Sequence, residues 1–165
     1  MKLQRRTHDE STALNVLRFT SIMSTAVAMT AAVAHLLELP NKRRYEAPLY
    51  VRLHRTLYNN FGRFAGPAEA LAVLTTGALA ARLRQQGSTS YPLTAAAASS
   101  VSAAHGIFWS VVNPVNVEMQ QWPLDQIPAG WTAERDRWEF GHAMRAGLLA
   151  GALGALVWST VNEPA

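Results

Sequence analysis

Cysteine is absent from the 165-residue sequence, which excludes disulfide bonds and thiolate metal sites. Charge is also scarce, because Asp, Glu, Lys and Arg together make up 16% of a chain that is 49% hydrophobic. The charged residues collect at residues 1–18, 42–63, 82–84 and 118–145. Almost no charge lies between these segments, which is the layout of a membrane protein with polar loops.

The low-charge stretches predict four membrane spans, at residues 19–39, 64–81, 93–117 and 143–161. With a rise of about 1.5 Å per residue, each can cross roughly 27–38 Å, close to the thickness of a bilayer core. A signal peptide with a cleavage site at Ala32-Val33-Ala34 is the alternative for the first span. Asp9 and Glu10 lie where a signal peptide is basic, so we favour a helix. The sequence thus predicts one all-α domain, residues 1–165, folded as a polytopic four-transmembrane-helix bundle.

The segment before the second span predicts an amphipathic helix. Pro48 suits its first turn, and the helix is expected to continue through Pro67 into the span. Its apolar residues recur every three or four positions, at Leu49, Leu53, Leu57, Phe61 and Phe64. Small residues predict where the spans touch: Ser21, Ser24, Ala28 and Ala31 in the first, and Ala143, Gly147, Gly151 and Ala155 in the fourth.

Polar side chains inside membrane spans are costly, so they mark candidate functional positions. The end of the first span, the start of the second, the end of the third and the start of the fourth meet on one side of the membrane. That side collects the unusual residues of the chain: His35, Glu38, Glu69, His105, Trp109, Asn113, Asn116, Trp138, His142 and Arg145. Pro114 removes a backbone donor there, which is tolerated only against protein or a water-filled cavity. The sequence therefore predicts a polar pocket at this end.

Several of these residues also have a structural interpretation. Glu69 can cap a helix start, Arg145 can extend to the interface, and His105 can be a satisfied core histidine. The tryptophans from Trp122 to Trp138 are typical of a membrane interface. The convergence of so many polar groups at one end, and no single residue, favours a functional pocket.

Three segments resemble the anthrone-oxygenase-like family of small four-helix membrane proteins: "HLLELPNK" ending the first span, "NPVN" ending the third and "RDRWEFGHAMRA" opening the fourth. The resemblance covers roughly residues 20–160 and implies cofactor-independent oxidation of an anthrone to an anthraquinone by O₂. Such a reaction needs a base for the acidic ring proton and donors or a cation for the oxyanion. His142 or His35 is the expected base, and the expected oxyanion partners are Arg145, Asn113 and Asn116.

Two other functions stay open at this point. His35, His105 and His142, with Glu69, are candidate ligands of a metal or haem, although no spacing is diagnostic and no cofactor is predicted. A non-catalytic protein, such as a small transporter subunit or a partner in a complex, would use the same groups to line a path or a protein contact. The basic residues flank apolar spans and form no single patch, so the expected partners are the lipid bilayer and a lipophilic substrate, not nucleic acid.

Orientation follows from the basic residues of the loops. More of them lie on the pocket side, at Lys42, Arg43, Arg44, Arg52, Arg55, Arg63, Arg135 and Arg137, than on the other side, at Lys2, Arg5, Arg6, Arg82 and Arg84. The positive-inside rule therefore predicts a cytoplasmic pocket side, in a plasma or inner membrane.

Overall fold

The computed structural model describes the backbone of residues 2–162 and the side chains of residues 10–58 and 60–162. Its helices are α1 (Lys2–Lys42), α2 (Ala47–Leu53), α3 (Asn59–Gln85), α4 (Tyr91–Ile107), α5 (Asn113–Gln121) and α6 (Trp131–Val161). Two π-helical turns, His54–Tyr58 and Phe108–Val112, connect α2 to α3 and α4 to α5. Residues 2–162 contain no strand, so the all-α prediction is confirmed.

Four stretches are long and apolar enough to cross a membrane: Glu10–Lys42, Asn60–Gln85, Tyr91–Gln121 and Trp131–Val161. The chain is a four-span, multi-pass membrane protein, as predicted. α1 and α4 each pack against both α3 and α6, so the long helices form a ring of antiparallel neighbours. The end of α1, the start of α3, all of α5 and the start of α6 therefore lie at the same end of the bundle, which we call the pocket end.

Away from the pocket end, small side chains allow the helices to pack closely. Close packing is needed there because lipid supplies no hydrophobic force that would hold the helices together. The stripe predicted on the first span is buried at Ser21, Ser24 and Ala28. The stripe predicted on the fourth span is wrong at Gly147 and Gly151, because nothing lies within 4 Å of a Cβ added at either glycine, while Ala155 packs against the core. The buried face of α6 is instead a neighbouring stripe of alanine and leucine: Ala146, Leu149, Ala152 and Leu156. The spacing of residues shows that they share one face of a helix, but it does not show whether that face points into the bundle or toward lipid.

The first span ends later than predicted. α1 continues through Pro40 to Lys42 and does not close at the proline. A proline this close to a helix end removes only a hydrogen bond of the last turn, which limits its cost. The Lys42 side chain is fully buried and its Nζ lies 2.9 Å from Glu139 Oε2, so an ion pair ties the end of α1 to α6.

The amphipathic helix forms as α2, with Pro48 in its first turn, and the chain stays helical through Pro67. Its orientation differs from that of a helix on a water-soluble protein. Leu49 and Leu57 are exposed, and the inward face carries the polar aromatic residues Tyr50, His54 and Tyr58. In a membrane protein the most apolar face contacts lipid, so apolar periodicity marks the outside of this helix.

Pro114 lies in the first turn of α5 and does not break the third span. The π-helical turn before it widens the helix, and the Asn113 N–H reaches back five residues to the Phe108 carbonyl. Single π-helical turns inside α-helices often occur at functional sites. Both π-helical turns of this chain contribute side chains to the large cavity at the pocket end.

The second π-helical turn packs closely against α6 at Gly141. A Cβ added there would lie 2.8 Å from Val112 Cγ2 and 3.2 Å from Val111 Cγ1. We expect Gly141→Ala to destabilise the protein by about 1–3 kcal/mol, the usual cost of overpacking. Gly147→Ala on the same helix is the control, because its Cβ meets nothing within 4 Å. Unfolding in mixed detergent micelles measures both; equal stability of the two variants would contradict this packing.

Candidate functional site

A cavity of about 580 Å³ lies at the pocket end. Its wall includes every residue predicted for the site except Glu38: His35, Glu69, His105, Trp109, Asn113, Asn116, Trp138, His142 and Arg145. These residues come from α1, α3, α4, the second π-helical turn, α5 and α6. The structure thus brings them together around one space, while the role of each stays a prediction.

Arg145 is the centre of the charged part of this wall. Its Nη2 donates to Glu69 Oε2 at 2.7 Å, and its Nη1 lies 3.2 Å from His142 Nδ1. All three side chains are buried. A guanidinium only donates hydrogen bonds, so His142 Nδ1 accepts and the proton of the neutral imidazole is on Nε2. Arg145 therefore holds an acid on α3 and a histidine of its own helix in fixed positions.

His105 and Trp109 form a hydrogen-bonded pair beside this charged group. The Trp109 indole Nε1 donates to His105 Nε2 at 3.1 Å. An indole N–H only donates, so the proton of neutral His105 is on Nδ1. That nitrogen faces Glu69 Oε2 at 4.0 Å. Glu69 consequently lies between Arg145 and His105.

Aromatic rings form the remaining wall. The Trp138 ring packs at centroid distances of 4.7 Å from His35 and 4.3 Å from His142, and the two imidazoles are 4.1 Å apart. Trp138 Nε1 donates to Asn116 Oδ1 at 2.7 Å, which leaves the Asn116 amide N–H groups as donors. Lys42 Nζ lies 3.5 Å from His35 Nδ1, so the His35 proton also belongs on Nε2 when that ammonium donates.

His54 is a cavity residue that the sequence did not predict. It belongs to the first π-helical turn, its ring lies 5.0 Å from the Trp138 ring, and it is 3% exposed. Neither ring nitrogen has a hydrogen-bond partner of normal geometry. Burial lowers the pKa of His54 to about 4 from an ordinary value of 6.5, and the neighbouring Asn116 amide opposes this shift only in part. His54 is therefore neutral at pH 7, and neither ring nitrogen is held by a hydrogen bond of normal geometry.

A buried ionic cluster lies beside the cavity and was also missed. Glu139 accepts from Lys42 Nζ and from the Tyr50 hydroxyl, both at 2.9 Å. Burial, followed by the Glu139 carboxylate, raises the pKa of Tyr50 and keeps its hydroxyl protonated. Glu38 belongs to this cluster and not to the cavity wall, since its Oε2 lies 3.9 Å from Lys42 Nζ. The cluster joins α1, α2 and α6 behind the aromatic wall.

The sequence does contain a pattern that indicates His54 and another that indicates the cluster around Lys42. Tyr50, His54 and Tyr58 follow a spacing of four residues and share one helix face. The same spacing links Glu38 to Lys42. Because Lys42 adjoins two arginines, it resembles an ordinary loop charge, and only its contact with Glu139 distinguishes it.

Several buried polar atoms of the cavity residues lack hydrogen-bond partners: His54 Nδ1 and Nε2, Glu69 Oε1, His105 Nδ1 and Arg145 Nε. Leaving such an atom unpaired is costly, so each one favours a polar ligand or water in the cavity. The set offers donors from Arg145 and His105, an acceptor from Glu69, and either role from His54. It is suited to a molecule that carries a hydroxyl or carbonyl oxygen on an otherwise apolar body.

No group of three or more His, Asp or Glu side chains among the residues described is arranged to hold a metal ion. The described residues therefore provide no set of ligands that would support the hypothesis of a metal site. The fold and the cavity define a class of protein: a four-span helical membrane protein with a polar chamber at one end of its bundle. No family model, curated protein or solved structure matches the chain.

Proposed function

We propose that the cavity binds a flat, lipophilic aromatic molecule and that the protein oxidises it with O₂ without a cofactor. The sequence resemblance suggests an anthrone as the substrate. The observation that carries the proposal is the pairing of aromatic walls with unpartnered buried polar atoms around one cavity of about 580 Å³. Cavities of roughly 300–1,000 Å³ accommodate molecules of drug-like size, which includes a three-ring aromatic.

The proposed reaction balances with dioxygen as the only oxidant. A base removes a proton from the ring methylene of the anthrone and leaves an enolate. The enolate carbon forms a bond to O₂ and accepts a proton, giving a hydroperoxide. Loss of water from the hydroperoxide gives the anthraquinone, so one anthrone and one O₂ yield one anthraquinone and one H₂O. The protein has to supply the base, stabilise the enolate oxygen and keep bulk water out.

His54 is the base that the geometry favours. His142 and His35 each direct Nδ1 at a cation, which leaves the protonated Nε2 for other contacts and suits them as donors. His54 has no such partner and is neutral at pH 7. A base with a pKa of about 4 is weak, so its action depends on strong stabilisation of the enolate.

Arg145 and the two asparagines are proposed to stabilise that enolate. Arg145 Nε has no partner, and a buried cation next to a developing oxyanion lowers the energy of the transition state. Asn116 keeps its amide N–H groups free of the Trp138 contact. Asn113 also lines the cavity, at the start of α5. His142 and His35 add donors through Nε2.

The pocket side is proposed to be cytoplasmic, in a plasma or inner membrane. Arg43, Arg44, Arg52 and Arg63 are exposed at the pocket end, as the positive-inside rule requires of a cytoplasmic face. Of the basic residues that count for the opposite face, Arg82 and Arg84 lie in the last turn of α3. The side chains of Lys2, Arg5 and Arg6 lie outside the described residues.

Oxygen uptake by proteoliposomes tests the proposal. With anthrone dissolved in the lipid, we expect uptake above the uncatalysed rate and formation of one anthraquinone for each O₂ consumed. Empty liposomes and liposomes containing Arg145→Gln protein are the controls. Binding of anthraquinone without any uptake would reject the oxygenase and leave the transporter or partner alternative. A visible chromophore or stoichiometric metal in purified protein would instead support the cofactor alternative.

A further inference from the structure

The cavity reaches the surface along a seam between two helices. Gly62, Pro67 and Ala70 of α3 line the cavity and are also exposed. On the other side of the seam, Trp109 and Val117 line it and are 57% and 52% exposed. α3 packs against α1 and α4 but makes no comparable contact with α5. The cavity is therefore open at its side, along the part of α3 that faces α5.

The surface around this opening faces lipid. Both edges of the seam belong to membrane spans, Asn60–Gln85 and Tyr91–Gln121. The surrounding helix surface carries large exposed apolar side chains, with Phe64 at 80% and Leu74 at 71% exposure. Hydrocarbon is the medium that such a surface contacts. A molecule that passes through the seam at this depth thus comes from the bilayer and not from water.

The seam stays open because its α3 edge lacks bulk. Gly62, Gly66 and Ala70 follow a spacing of four residues along this edge, and nothing lies within 4 Å of a Cβ added at either glycine. The interior of the cavity is polar and buried, with Glu69 and Arg145 at 2% and 5% exposure. Exposed Arg63 and Gln120 line the edge of the opening nearest the end of the bundle, whereas the part along Gly66, Ala70 and Trp109 is apolar. The cavity accordingly has an entrance that is apolar on its membrane side and a charged interior.

We infer that the cavity is loaded sideways from the bilayer, through a portal between α3 and the segment from Trp109 to Val117. The ligand is a membrane-dissolved flat molecule that enters with its polar oxygen first. The polar oxygen then meets Arg145 and His54, while the apolar body stays against Trp109 and the glycine edge. The chemical class of the ligand rests on the proposed function, but the position and medium of the portal do not.

Spin-label accessibility tests the portal without any substrate. The chain has no cysteine, so Gly66→Cys gives a single labelling site in an unmodified background. In proteoliposomes, the label at position 66 should collide with lipid-dissolved O₂ much more than with a water-soluble nickel chelate. Gly77→Cys, on the same helix with nothing within 4 Å of its Cβ, gives the lipid reference. Thr89→Cys, in the exposed connection between α3 and α4, gives the water reference.

An accessibility ratio at position 66 that equals the ratio at position 89 would overturn the inference, because the opening would then be aqueous. A label that neither reagent reaches would overturn it too, because the seam would then be closed. The second arm uses Gly66→Leu, which fills the portal, and Gly77→Leu as its control. Gly66→Leu should lose most turnover of lipid-dissolved anthrone, while Gly77→Leu should keep it. Full turnover in Gly66→Leu would contradict the portal, whereas a parent protein without turnover would reject only the proposed function.

Discussion

Replacing Lys42 by methionine is expected to destabilise the folded protein by roughly 3–5 kcal/mol, because removing one partner of a buried ion pair leaves the other charge uncompensated. Lys42 is fully buried, and the Glu139 that remains would be 5% exposed. Its only other hydrogen bond among the described residues comes from Tyr50. The free energy of unfolding in mixed detergent micelles measures the loss.

Two further variants make this result specific. Lys42→Met combined with Glu139→Gln removes both charges and should recover much of the lost stability, since the Tyr50 hydroxyl can still donate to the amide oxygen. Arg43→Met changes the adjacent exposed cation and should shift stability by no more than about 0.5 kcal/mol. If Lys42→Met were as stable as Arg43→Met, the buried ion pair would be absent from the folded protein.

Replacing His54 by glutamine is expected to lower turnover by roughly 10²–10⁴-fold, the usual contribution of a general base. Glutamine is polar and similar in size, so the variant should still fold and bind the ligand. In the parent protein, turnover of anthrone should fall as the pH is lowered through the His54 pKa of about 4, because protonation then removes the proposed base. Steady-state oxygen uptake, followed from well below that pKa to neutral pH, measures both effects.

His142→Gln is the matched comparison for His54→Gln. We expect it to cost roughly 10²–10³-fold as a lost donor to the oxyanion, with the acid limb of the pH profile still present. His54→Gln should abolish that limb along with most of the rate. If the fall of turnover at low pH were unchanged in His54→Gln, or were lost only in His142→Gln, His142 would be the base and not His54.

The global fold could be predicted from the sequence because a bilayer imposes few solutions on a chain. The charge-poor stretches had the length of a membrane helix, and alternating direction brought His35, Glu69, Asn116 and His142 to one end. Those two arguments need only helix length and connectivity. They do not depend on which face of a helix points inward.

The sequence could not show which face of each helix points into the bundle. The apolar periodicity of Leu49 in α2 and Leu57 in the first π-helical turn marked the lipid side of this segment, so His54 on the opposite face was not predicted. Gly147 and Gly151 matched a packing motif but face outward. In water an apolar stripe points inward, whereas in lipid an apolar face can contact hydrocarbon, so the stripe no longer identifies the inward face of a helix.

Residue patterns also did not predict where the helices widen into π-helical turns. The π-helical turns at His54–Tyr58 and Phe108–Val112 each widen the helix locally and rotate the helix that continues after the turn. Pro114 indicated an irregularity near the second turn. No comparable residue lies in the first turn, where His54 gains its place on the cavity wall.

The most direct test of the central claim is a crystal or cryo-electron-microscopy structure of the protein in lipid with added anthraquinone. The account predicts a flat density inside the cavity, stacked near Trp138, with one oxygen within hydrogen-bonding distance of Arg145 Nε or a His54 nitrogen. Soaking the Gly66→Leu variant under the same conditions should leave the cavity without that density. Anthraquinone bound elsewhere on the bundle, with an acyl chain in the cavity of the parent protein, would contradict the account.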